Sequence, residues 1–176
     1  RRDELQRTGS TTGLARALVI LGRYDEAGVL LEEALAIRAQ RDIATLPRAQ
    51  VHLQLGELAL ARGQLELADR ELGRAEQLSA SASRADRARR ALLDALRARV
   101  ASLRGDAPAA MALSRSALQS IDHPDLVQDR SLRAQVLDAR GRSLCMSGAE
   151  NEGEPALAEA VVVLSELQIE SGVGLV

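Results

Sequence analysis

Two histidines, one cysteine and a band of arginines are the side chains of this chain best suited to chemistry. His52 and His123 lie far apart, and neither falls in a metal-binding spacing such as H-E-x-x-H. His52 is expected to be a partly buried structural histidine on a helix. His123 precedes Pro124 and is expected to help break one. Cys145 stands three residues before a glycine and reads as a small apolar packing residue. A single cysteine excludes an internal disulfide framework and any multi-thiolate metal site. With no lysine in the chain, a Walker-type phosphate loop is impossible, and "GRSLC" does not meet G-x-S-x-G. Glu32 and Glu33 are adjacent, so on a helix they point about 100° apart and read as surface charge, not an acid–base pair. No catalytic constellation, cofactor site or metal site is expected, and the chain reads as a non-enzyme.

The arginines are densest in "SRADRARRALLDALRARVASLRG", where Arg90, Arg97 and Arg104 form one helical stripe. A nucleic-acid reader is expected to pair such a stripe with stacking aromatics. This chain has no Phe or Trp and a single Tyr, Tyr24. Its net charge is −2 with acids and bases interleaved, so no long-range field draws in nucleic acid or a membrane surface. The stripe is therefore expected to be a solvated face, with a local site for an acidic partner as the rival reading. No apolar run approaches the ~18 residues of a membrane span, and no secretory leader is apparent. A reducing, cytoplasmic location is the expectation. The opening Arg1 suggests a piece of a longer chain, and the Ala- and Arg-rich composition suggests a GC-rich bacterial genome.

The elements that must position these residues are punctuated by glycine. Gly22, Gly63, Gly105 and Gly148 recur at separations of 41, 42 and 43 residues, a spacing that signals helical arrays. Seven residues before each stand Ala15, Gly56, Ala98 and Gly141; five after stand Ala27, Ala68, Ala110 and Gly153. Nine after come Leu31, Leu72, Ser114 and Leu157, and twelve after come Ala34, Ala75, Ala117 and Ala160. Positions seven apart share one helix face, and small residues let two helices approach closely. Each glycine then ends the first helix of a hairpin in the left-handed conformation.

Eight helices in four antiparallel pairs follow. They span about Thr12–Leu21 and Tyr24–Arg41, then Pro47–Arg62 and Leu65–Ser79. "SASASRAD" is a linker before a long third pair, within which Asp106 is a cap and Pro108 lies in a first turn. "DHPD" breaks the chain again. The fourth pair is expected at Leu126–Ser147 and Pro155–Ser171, with a longer loop, "GAENEGE", between its helices.

The quoted units "LGRYDEAGVLLEEAL", "QLGELALARGQLELADRELGRA", "RGDAPAAMALSRSAL" and the weaker "ARGRSLCMSGAENEGEPALAEA" resemble the tetratricopeptide repeat family. The likeness covers nearly the whole chain after Thr11. These units are about seven residues longer than the family's usual ~34, as in bacterial signalling proteins. The resemblance implies an all-α fold: a right-handed α-solenoid of four antiparallel helix hairpins in a single domain, 1–176. Its units are expected at about 10–43, 44–82, 83–123 and 124–171.

It also implies that the first helix of each pair lines a concave, partner-binding groove. By register the lining side chains are Thr12, Arg16 and Val19; Leu53, Glu57 and Leu60; Ala95, Arg99 and Ser102; and Asp138, Arg142 and Cys145. Three of the four middle members are arginines, which could fork onto carboxylates of an acidic protein segment. The implied function is a non-catalytic protein–protein interaction scaffold that binds a partner peptide or helix. The alternative is the C-terminal regulatory region of a larger bacterial signalling protein, either a serine/threonine kinase or an ATPase-type regulator. On the last helix Val161, Val162 and Val163 follow one another, so apolar surface points several ways. Arrays of this type need a polar cap. That end is expected to be covered by a second copy in a homodimer, by more of the parent chain, or by the tail "GVGLV".

Overall fold

The computed structural model describes the backbone of residues 2–40, 45–78 and 84–170. Among them are eight α-helices and no strand: α1 (Arg2–Ile20), α2 (Tyr24–Gln40), α3 (Thr45–Ala61), α4 (Leu65–Gln77), α5 (Arg84–Leu103), α6 (Ala107–Ile121), α7 (Arg130–Met146) and α8 (Glu150–Glu170). The fold is all-α.

All four predicted joints have one geometry. Gly22, Gly63, Gly105 and Gly148 take φ of 74°, 72°, 79° and 80°, a region that side chains resist. At the first joint the Gly22 N–H donates to the Val19 carbonyl at 3.1 Å, and the Arg23 N–H reaches back to Leu18 at 2.8 Å. This 6→1, 5→2 pair is the Schellman motif, which satisfies carbonyls that the ending helix leaves open. The same two bonds recur at Gly63, Gly105 and Gly148. The residue after each glycine already accepts the first bond of the next helix: Arg23 from Ala27, Gln64 from Ala68, Asp106 from Ala110, Ala149 from Gly153. Each hairpin therefore turns as tightly as a glycine cap allows.

The small residues form the seam inside every hairpin. Ala15, Ala27, Ala68, Ala98 and Ala110 have no exposed surface, and Gly56, Gly141 and Gly153 are buried with them. Ala34, Ala75, Ala117 and Ala160, two turns further along, are buried as well. In the fourth hairpin the approach is backbone on backbone. A Cβ placed on Gly153 would lie 2.9 Å from the Gly141 carbonyl oxygen.

The chain divides into two compact units, Arg1–Ala80 and Ser81–Val176, each of two hairpins. In the first, α3 packs on both α1 and α2; in the second, α7 packs on both α5 and α6. The first unit's core joins Leu18, Leu31, Val51 and Leu58 to the seam alanines. The second buries Leu96, Ile121, Leu126, Val136, Leu137 and Leu144 completely or nearly so.

Several boundaries differ from expectation. Helix α8 begins at Glu150, not at Pro155, so the expected "GAENEGE" loop does not exist. The Gly148 joint starts the helix at once, and a proline in its second turn removes only one intrahelical bond. Helix α7 begins at Arg130, four residues later than expected, because the Asp129 carboxylate caps it by accepting the Leu132 N–H at 3.1 Å. Helix α1 extends back to Arg2, well before Thr12. Pro47 lies in the first turn of α3 as expected. Most of the "SASASRAD" linker and the "GVGLV" tail lie outside the described residues.

Candidate functional site

Helix α1 lies against α3, and α5 against α7; the twelve expected groove residues are therefore adjacent in pairs of helices within each unit. Thr12, Leu53, Leu60, Ala95 and Ser102 are buried and offer a partner little side-chain surface. The Thr12 carbonyl accepts the Gln54 amide at 3.2 Å, linking α1 to α3. Ser102 is the centre of an α5–α7 network. Its hydroxyl lies 2.8 Å from the Ser143 carbonyl and 2.8 Å from the hydroxyls of Ser143 and Ser147.

The members with surface to offer are Arg16, Val19, Glu57, Arg99, Asp138, Arg142 and Cys145. Val19 rests on the first unit's core. Arg142 is exposed, and its Nε donates to both carboxylate oxygens of Asp138, at 2.9 and 3.0 Å. This fork is an i,i+4 pair on one helix, so an acidic partner must compete with Asp138 for Arg142. Cys145 sits over Gly153, whose missing Cβ would otherwise meet its sulfur. Glu32 and Glu33 are both exposed, as are Arg90 and Arg104 of the arginine stripe.

The strongest polar constellation is one the sequence did not reveal. His52 Nδ1 of α3 lies 2.7 Å from Glu71 Oε2 of α4, and both residues are nearly buried, 8% and 5% exposed. The other Glu71 oxygen accepts from Arg74 at 2.6 Å. A carboxylate taken out of water must be paired and hydrogen-bonded, and this one is. The arrangement ties α3 to α4. Glu71 and Arg74 can be paired from their i,i+3 spacing, but the approach of His52 requires the folded hairpin. A second buried pair, Asp86 with Arg89 at 2.7 Å, stands near the start of α5. His123 keeps to its turn, where its Nδ1 accepts the Asp125 N–H at 3.2 Å.

Ion pairs also tie helices together within each unit. Arg62, in the joint just after α3, reaches Asp25 of α2 at 2.6 Å. Arg133 of α7 holds Asp122 at 2.9 Å and Glu159 of α8 at 2.8 Å. Burial lowers the Arg133 pKa, but its hydrogen bonds to Asp122 and Glu159 outweigh this and hold it above the usual guanidinium range.

Two concavities lie in the first unit. One, of about 250 Å³, lies between α2 and the α3–α4 pair, and Gly28, Leu35, Leu55, Leu58, Leu67 and Glu71 are among its walls. The other, of about 420 Å³, opens on the outer face of α1 and α2 and is lined by Leu14, Leu18, Arg23, Glu26, Val29 and Leu30. Among the described residues no three His, Cys, Asp or Glu side chains are grouped to hold a metal. No described helix is long and apolar enough to cross a membrane. No protein-family model matches the chain, and no curated protein matches it.

Proposed function

We propose that the chain is a non-catalytic scaffold of tetratricopeptide type, a cytoplasmic right-handed solenoid that binds an acidic protein segment along its first helices. The observation that supports this reading is the fourfold recurrence of one glycine-closed, small-residue hairpin. Stacked hairpins bury a continuous core and leave a long surface for partners. On that surface Arg16, Arg99 and Arg142 stand at one register position, and guanidinium forks suit carboxylates.

Peptide display against the immobilised protein tests the reading. Acidic segments should be enriched, and their binding should weaken as salt rises. An Arg16→Ala/Arg99→Ala/Arg142→Ala variant should bind them about tenfold more weakly or worse. Asp138→Ala, which releases Arg142 from its fork, should tighten them. Equal binding by all variants removes the arginines from the site, and failure to enrich any peptide overturns the scaffold reading.

A further inference from the structure

The two concavities of the first unit are the same surface one repeat apart. Shifting Leu14, Leu18, Arg23, Glu26 and Leu30 forward by the 41-residue period gives Leu55, Ala59, Gln64, Leu67 and Glu71. All five of these line the seam that α2 occupies. On the second hairpin this surface carries a helix. On the first it is open, with Leu14 53% exposed.

The helix that lines the seam presents Gly28, Glu32 and Leu35, at six, ten and thirteen residues past its joint glycine. In α8 those positions are Glu154, Ala158 and Val161, and all three are exposed. Leu35 and its counterpart in α6, Leu118, are partly buried, whereas Val161 is 65% exposed, with Leu164 one turn on at 47%. Among the described residues, α8 thus carries the helix half of this seam with no hairpin packed on that face, and α1–α2 carries the hairpin half with no helix packed on it.

We propose that the chain self-associates head to tail, with α8 of one copy docking on the α1–α2 face of another. The contact joins two different surfaces, so it is heterologous and leaves a free half-seam at each end of every dimer. It therefore extends to longer assemblies or closed rings, unlike a twofold homodimer built from α8 against α8. This inference does not rest on the acidic-peptide reading, since none of the groove arginines takes part.

Sedimentation velocity of the 176-residue protein over a wide concentration range tests it. The mean mass should rise past that of a dimer. Leu14→Glu and Val161→Glu change side chains that are exposed in the single chain, so both variants should keep the wild-type helical circular dichroism. Each should weaken self-association about a hundredfold, because a carboxylate would be buried against apolar surface. Mixed together, each variant still offers one intact half-seam, and the mixture should form 1:1 dimers that grow no further. A monomer at every concentration overturns the proposal and leaves both faces to other proteins. So does a wild-type dimer that Leu14→Glu leaves intact, which would mark α8-to-α8 pairing.

Discussion

Gly153 and Gly73 are both helical glycines, yet their surroundings give them opposite roles. A Cβ on Gly153 would meet the Cys145 nitrogen and the Gly141 oxygen at 2.9 Å, while one on Gly73 would meet nothing within 4 Å. Backbone atoms cannot rotate aside. Gly153→Ala should therefore cost about 1–3 kcal/mol as an overpacking change, whereas Gly73→Ala should stabilise α4 by about 0.5–1 kcal/mol through helix propensity. Urea denaturation of the two variants checks both signs. At the joints the demand is conformational. Gly105, at φ 79°, also has open space around it, and Gly105→Ala should cost about 1–2 kcal/mol because a side chain is disfavoured there. The joint glycines were legible because their requirement is local. The close approach at Gly153 was legible only as a small residue in register. That it touches backbone depends on where α7 lies.

At the scale of elements, what binds helix to helix is apolar packing with a few buried polar links. Leu72 is fully buried and packs on Gly56, so Leu72→Ala should cost about 2–5 kcal/mol. Asp106 caps α6 by accepting the Ala109 N–H at 3.1 Å, and Asp106→Ala should cost about 1 kcal/mol. The His52–Glu71 link predicts an asymmetry. His52→Ala leaves one oxygen of a buried carboxylate unpartnered and should cost about 1–3 kcal/mol. Arg74→Ala removes a side chain 57% exposed and should cost less than about 1 kcal/mol. Thermal melts of the two variants decide the order. His52 could be placed on a helix from sequence, but its partner could not, because the two residues are 19 apart and meet only across the turned hairpin.

Over the whole molecule, charge is abundant but mostly exposed. Pairs such as Arg62–Asp25 and Arg84–Asp129 each have a side chain open to solvent, and exposed pairs contribute about 0–1 kcal/mol apiece. Raising salt to 1 M should therefore change stability little, as measured by the melting temperature. The pH dependence has a definite sign. A hydrogen bond from Arg23 lowers the pKa of the Glu26 carboxyl. Its small contribution is present above the ordinary carboxylate range and is lost as pH falls through the lowered folded value. The raised Arg133 pKa acts only where arginine begins to deprotonate, far above neutrality. Acid, not mild base, should thus loosen the chain, as a pH series of thermal melts would register.

The sequence alone determined that the chain is helical, where each hairpin turns and which positions form its seam. Glycine caps, helix periodicity and side-chain size act over a few residues, and the pattern repeats four times in register. Only the tertiary structure decided that α8 starts directly after Gly148, that half-buried surface and buried packing are mixed within the expected groove, and that Glu71 is enclosed by His52. It also showed that Leu14 and Val29 on α1–α2, and Val161 and Leu164 on α8, are exposed. Those outcomes depend on which face each neighbouring helix covers, through contacts such as Ser102 to Ser143, 41 residues apart. A repeat pattern names the face, but only the packed neighbour determines whether it is covered.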